Sequence, residues 1–201
     1  WPTTWVAAGL RSAAIAHLAQ PSLTVRRQTF VLPTGNLSFA TALALGVFDR
    51  RMFHPEGDAW SPAELAGLTV ADALEGRALL ESEVGLLTLG PLEILFVPGE
   101  LYPELWLSRD GGGSWVEHPD GADFPAAAAE PPLAEALSPA ALRTIVNQAN
   151  DSLGYVIPRA QFDLEAPYTY GRMSAPYGEG VSNGPGTAAA IAQAVEEMMR
   201  P

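Results

Sequence analysis

The sequence predicts an α/β fold, a mixed β-sheet flanked by helices, on three observations. Runs that are β-rich, alternating or continuously apolar recur at Leu23 to Leu32, Val84 to Pro98 and Tyr155 to Ile157. Around them lie segments with helical periodicity, from Trp5 to Gln20, from Ser138 to about Gln148 and from Thr187 to Met199. Of the 201 residues 48% are hydrophobic and 17% charged, a composition that buries a core in a single domain or in the C-terminal half of a larger one.

Each element has a local reason. Val6, Leu10, Ile15 and Leu18 space an amphipathic helix that Pro21 ends. The run Leu23 to Leu32 alternates at first and is closed by Pro33 and Gly35, so it reads as a strand. Residues 36–75 are ambiguous, with a short helix expected at Ser38 to Leu45 and another from Ser61-Pro62. Val84 to Leu89, a Gly90-Pro91 turn and Leu92 to Pro98 give a pair of strands. Ile94 to Val97 is apolar at every position, which predicts a strand buried on both faces. Residues 119–137 hold Pro, Ala, Asp and Glu without periodicity and read as a surface loop or linker. Ser138-Pro139 offers an N-cap followed by proline at the first helical position. Glycines and prolines from 166 to 186 predict an extended loop before the last helix, which is capped near Gly186 or Thr187.

Composition removes several functions. With 23 acidic and 11 basic residues the net charge is −12, which repels a phosphate backbone, so nucleic acid is not an expected partner. The absence of cysteine excludes disulfides, thiol nucleophiles and thiolate zinc sites. No apolar run approaches the ~20 residues of a membrane span, so no transmembrane segment is expected. The chain opens at Trp1 without a basic or apolar leader pattern, as expected of a processed chain or part of a longer precursor.

Three segments hold candidate chemistry. Glu100 follows a buried strand in Pro98-Gly99-Glu100, and a carboxylate fixed at a strand end is placed as a metal ligand must be; the same tripeptide also serves as a plain turn. Asn150-Asp151-Ser152-Leu153-Gly154-Tyr155 joins a helix to a strand, where Asn and Asp suit a turn and Tyr155 suits either a core or a site. Tyr177-Gly178-Glu179 through Gly184-Pro185-Gly186-Thr187 leads into a helix whose free N–H groups suit an oxyanion, as they suit an ordinary loop. His17, His54 and His118 are the three histidines, and none has a metal-binding spacing. Glu100 and Glu104 also invite a glycosidase pairing, but four-residue spacing supplies no cleft to hold them apart across a sugar. Ser108 to Trp115 resembles the Asp-box hairpin of sialidase-like propellers, in a single copy; Asp110 is expected to bond turn amides and Trp115 to pack under the hairpin.

The order and combination of Pro98 to Glu100, Asn150 to Pro158 and Glu179 to Thr187 resembles the C-terminal half of the catalytic domain of the neutral/alkaline, non-lysosomal ceramidases. About half of the chain takes part. The resemblance implies a zinc-dependent amide hydrolase, with the metal as Lewis acid or activator of the nucleophile. It puts the family's glutamate zinc ligand on Glu100, while the family's tyrosine ligand falls on Ser152, a poor donor when neutral. Coordination then needs Tyr155, a water or a different donor. Tyr155 becomes a ligand or an oxyanion donor, and Gly184 and Thr187 become substrate-binding residues of the site floor. The family's histidine ligands and nucleophile belong to its N-terminal half, so zinc, a lipid or other small-molecule amide substrate, and an N-terminal half as second chain are expected together. A homo-oligomer is a further expectation. The expected location is secreted or at the cell surface, with a cytoplasmic one open. The alternative is a non-catalytic binding or assembly protein that keeps the fold.

Overall fold

The structure, a computed structural model, describes residues 20–69, 77–139 and 142–200. Strands β1 (Leu23–Pro33), β2 (Met52–Phe53), β3 (Leu79–Leu89), β4 (Leu92–Phe96) and β6 (Leu142–Val146) form one sheet in the order β1-β3-β4-β6, with β2 beside β3. β1 and β3 run antiparallel along their whole length, from Leu23 opposite Leu89 to Pro33 opposite Leu79. β3 turns into β4 at Gly90, whose φ of 54° the tight connection requires. β6 pairs parallel to β4, which makes the sheet mixed and demands a long crossover between them. That crossover carries β5 (Glu100–Leu101), which pairs in parallel with β7 (Tyr155–Val156) as a second, two-stranded sheet.

Helices cover one side. The even-numbered positions of β3 and the odd positions of the β4 run point into a core that holds Val84, Leu86, Leu95 and Val97. The last helix, Thr187–Met199, lays Ile191, Ala194, Val195 and Met198 on them at helical spacing. Ile191 and Val195 are fully buried; each such side chain stabilises the fold by roughly 1.5–3 kcal/mol. A second cluster joins Leu32, Met52 and Leu80 of the sheet to Leu43 and Leu65 on two short helices, Leu37–Ala44 and Pro62–Ala66. Both short helices start where their residues dictate. Asn36 accepts from the N–H groups of Ser38 and Phe39, and Ser61 with Glu64 forms a reciprocal capping box ahead of Pro62. No helix among the described residues is long and apolar enough to cross a membrane.

Several expectations are corrected. The helix expected from Ser138 to about Gln148 is replaced, among the described residues, by a strand: Leu142–Val146 is β6. Thr144, Ile145 and Val146 are β-branched in succession, and the free edge of β4 supplies the ladder that such residues fit. The Ser138 N–H donates to Glu93 Oε2 at 2.9 Å. β4 is buried on one face only, since Leu95 and Val97 are fully buried while Ile94 and Phe96 are half-buried. The loop before the last helix holds short turns and the four-residue helix Tyr177–Gly180. Trp115 lies half-exposed under the Arg109 guanidinium, 5.0 Å from the ring, and Gly113 N–H of the hairpin donates to Glu135. The helix expected from Trp5 to Gln20 lies almost wholly outside the described residues.

Candidate functional site

β4 does not stop dead at Phe96. Val97 N–H continues the ladder to Val146 O, and Pro98 and Gly99 then accept the N–H groups of Leu153 and Gln148. Glu100 N–H donates to Gly154 O at 2.9 Å, and Tyr102 N–H to Val156 O at 3.0 Å. Three backbone bonds thus hold Pro98-Gly99-Glu100 against the segment that leads into Tyr155, with Val97 and Tyr102 bonded on either side. Glycine is needed at both contacts. A Cβ on Gly99 would lie 2.6 Å from Val156 Cγ2 and 2.8 Å from Gly154 O, and one on Gly154, at φ +71°, would run into the Val181 carbonyl oxygen.

The consequence is a register in which Glu100 and Tyr155 are direct partners. The carboxylate of Glu100 raises the Tyr155 phenol above its ordinary value, chiefly through its charge, then through desolvation and hydrogen bonding to the same carboxylate. Tyr155 is therefore a neutral O–H at physiological pH, a donor toward the carboxylate. Gln148 Nε2 donates to Glu100 Oε2 at 3.2 Å, from a residue held at φ 52°. Tyr102 and Tyr177 meet the Tyr155 ring edge-on, with centroids 6.2 and 6.0 Å away. Tyr177 is 76% exposed, so the group opens to solvent on that side. Behind it, burial raises the Tyr102 phenol, helped by Glu179, and burial raises the Glu179 carboxyl as well. The site is thus a half-exposed carboxylate among three tyrosines, with a further carboxyl kept toward its neutral form beneath them.

The other candidates are placed differently. Gly184 and Thr187 are buried: Thr187 Oγ1 donates to Gly184 O at 2.8 Å, and Gly184 packs on Gly35. Their polar groups serve the turn into the last helix and present no open floor to a substrate. Ser152 is held by its backbone, with Arg50 Nη2 donating to its carbonyl at 2.9 Å. The same arginine is ion-paired with Asp151, which also accepts from Ser82 Oγ at 2.9 Å. His54 stacks on Trp60 at 3.7 Å and faces Glu64, and His118 Nδ1 contacts the Pro125 carbonyl, so both are engaged structurally; His17 lies outside the described residues.

The chain matches no protein-family model, no curated protein and no solved structure. The site is therefore argued on its own chemistry. Among the described residues no group of three or more His, Asp or Glu side chains converges as a metal site would require. Glu100 is a good zinc donor, and Tyr155 becomes one only on losing its phenol proton. Gln148 and Tyr102 were not singled out from sequence, and Tyr177 opened a candidate segment without a role of its own. Tyr102 carried a signal that went unused, two residues after Glu100 and hence on the same side of an extended chain.

Proposed function

We propose that this chain forms part of a zinc-dependent, ceramidase-like amide hydrolase and contributes the carboxylate ligand Glu100, with Tyr155 as ligand or oxyanion donor. The observation that supports this is the pairing of Glu100 with Tyr155 across two strand ends far apart in sequence. A catalytic zinc uses three protein ligands and an open position, so a histidine-bearing partner segment must complete the set. Bound there, zinc would polarise the amide carbonyl or activate the nucleophile. The residues of this chain have separate tasks. Gln148 orients the Glu100 carboxylate, and the neutral Tyr155 hydroxyl donates a hydrogen bond to Glu100 or to developing negative charge on a substrate oxygen. Tyr102 and Tyr177 meet the ring of Tyr155 edge-on and fix its orientation, with the Tyr177 side left open for a substrate to approach. A secreted or cell-surface location belongs to the same proposal.

One observation favours a second proposal, a non-catalytic binding or assembly protein. At the position of the family's tyrosine, the Ser152 carbonyl and the carboxylate of its neighbour Asp151 are tied to Arg50, a structural use of this segment. Bound zinc and amide hydrolysis, measured on the chain alone and with the histidine-bearing segment, separate the two. The enzyme proposal expects substoichiometric zinc on the chain alone, one zinc on the assembly, and loss of both zinc and hydrolysis in Glu100→Gln. Zinc that is retained by Glu100→Gln contradicts it.

A further inference from the structure

The segment 119–137, a loop by its sequence, walls a cleft of about 1160 Å³ against the outer face of the last helix. Ala189, Ala192 and Glu196 recur at helical spacing on one wall, and the alanine run 126–129 with Pro131-Pro132 forms the other. Alanine facing alanine is the reason for the volume, since larger side chains on either wall would close it. The loop wall is fixed at both ends. Asp123 N–H donates to Phe162 O at 3.0 Å, and Leu133 is buried in the main core. A cleft that is preformed, apolar and of this size is the form that small-molecule sites take.

An account of its polar side chains shows what it would hold. Asp123 uses both carboxylate oxygens on the N–H groups of Leu164 and Glu165, at 2.7 and 3.2 Å. Glu135 accepts from Gly113 N–H, Glu196 is paired with Arg200, and Gln193 donates to Glu197. The Arg159 guanidinium lies over the Phe124 ring at 4.8 Å. Glu130, also in the wall, is different. It is 5% exposed, its Oε1 accepts from Arg159 N–H at 3.1 Å, and its Oε2 is buried with no hydrogen-bond partner among the described residues. A carboxylate oxygen so placed is costly, because it has given up water and gained no donor. Its chemical complement is a cationic N–H group, which makes a charge-assisted bond that apolar surroundings strengthen.

We propose that this cleft binds a small amphipathic amine, with its ammonium group on Glu130 Oε2 and its apolar body along the alanine and proline walls. An alcohol of the same shape supplies a donor but leaves the charge of Glu130 uncompensated, and a carboxylate is repelled by it. The net charge of −12 acts in the same sense, drawing cations toward the chain and holding anions off. The walls add affinity in proportion to the apolar area they cover. None of Glu100, Gln148, Tyr102, Tyr155 and Tyr177 lines the cleft, so the inference goes beyond the hydrolase reading and does not rest on it.

The test is a titration of the intact chain, without added zinc, with three probes that share one apolar body: phenylbutylammonium, phenylbutanol and phenylbutyrate. Calorimetry reads affinity, and amide chemical shifts read the place of binding. The ammonium probe is expected to bind at millimolar concentration or below and to shift the amides of Glu130, Leu133 and Ala192. The alcohol should bind ~10-fold more weakly or worse, the scale of a hydrogen bond to a charged group, and the carboxylate should not bind. Glu130→Gln keeps an acceptor for Arg159 N–H and removes the charge, so it should weaken the ammonium probe ~10-fold and bring it level with the alcohol. If Glu130→Gln does not fold by circular dichroism, Ala189→Phe decides instead. Ala189 is exposed on the helix, and a phenyl group there occupies the cleft, which should weaken the ammonium probe ~10-fold through lost apolar contact. Absence of ammonium binding at millimolar concentration overturns the proposal, as does equal affinity for the ammonium and the alcohol. Ammonium affinity that is unchanged in the folded variant overturns it equally.

Discussion

The strand-end corner at Glu100 and Tyr155 and the turn at Gly184 to Thr187 look alike in sequence, each a glycine set close to polar residues, yet they spend those polar groups in opposite ways. In the corner, the backbone is fully engaged and the side chains of Glu100, Gln148 and Tyr155 are left facing one another at a half-open surface. In the turn, Thr187 Oγ1 closes on Gly184 O, Asn183 Nδ2 on Pro33 O, and both residues are buried. Glycine and polarity together therefore do not mark a site. What distinguishes one is whether the polar side chains remain unspent after the backbone has been satisfied.

The comparison can be broken most forcefully at Gly154. Its positive φ and the Val181 carbonyl leave no room for a methyl group, so Gly154→Ala should destabilise the chain by about 4 kcal/mol or more, or prevent folding. Denaturant unfolding measures this, and a variant of native stability would mean that the corner is not clamped as described. The turn should respond less. Thr187→Val keeps the shape and removes one buried donor, leaving the Gly184 carbonyl without that bond, at a cost of about 1–2 kcal/mol. Because the turn is structural, the same variant should leave the ionisation of Tyr155 untouched. A shift in that ionisation would join the two regions that the structure separates.

The sequence made much of the fold legible where local signals and tertiary context agree. The strand from Leu23, the hairpin around Gly90, the capped helix at Ser61-Pro62 and the last helix from Thr187 each carry their own start or stop residue. It misled at Ser138 to Gln148, where an N-cap pattern was overridden by three β-branched residues and the open edge of β4. No local feature announces an edge supplied from far away in sequence, as Leu92 is from Leu142, and the burial of Ile94 and Phe96 depends equally on what covers the far face. At the site, the resemblance singled out Glu100 and Tyr155 as ligands, and the parallel register sets the two residues side by side without bearing on a metal. Gln148 was hidden because it was assigned to a helix that does not exist. The Arg50 to Asp151 ion pair was hidden for a simpler reason, as nothing in either segment points to the other.

The most direct measurement of the central claim, that Glu100 and Tyr155 form one electrostatic unit, is a pH titration of Tyr155 by NMR with tyrosine labelled at Cζ, in the native chain and in Glu100→Gln. The folded-state value of Tyr155 is raised by the neighbouring carboxylate, so its proton is held to higher pH than an ordinary phenol near pH 10 would allow. The folded chain accordingly binds more protons than the unfolded chain above that point, and the stability owed to this group is lost as pH rises through the raised value. Removing the charge should lower the Tyr155 midpoint toward its ordinary value with little change in stability at neutral pH, while Tyr102, held up mainly by burial, should stay raised. A Tyr155 midpoint that is ordinary in the native chain, or that does not move in Glu100→Gln, would contradict the pairing on which the site is built.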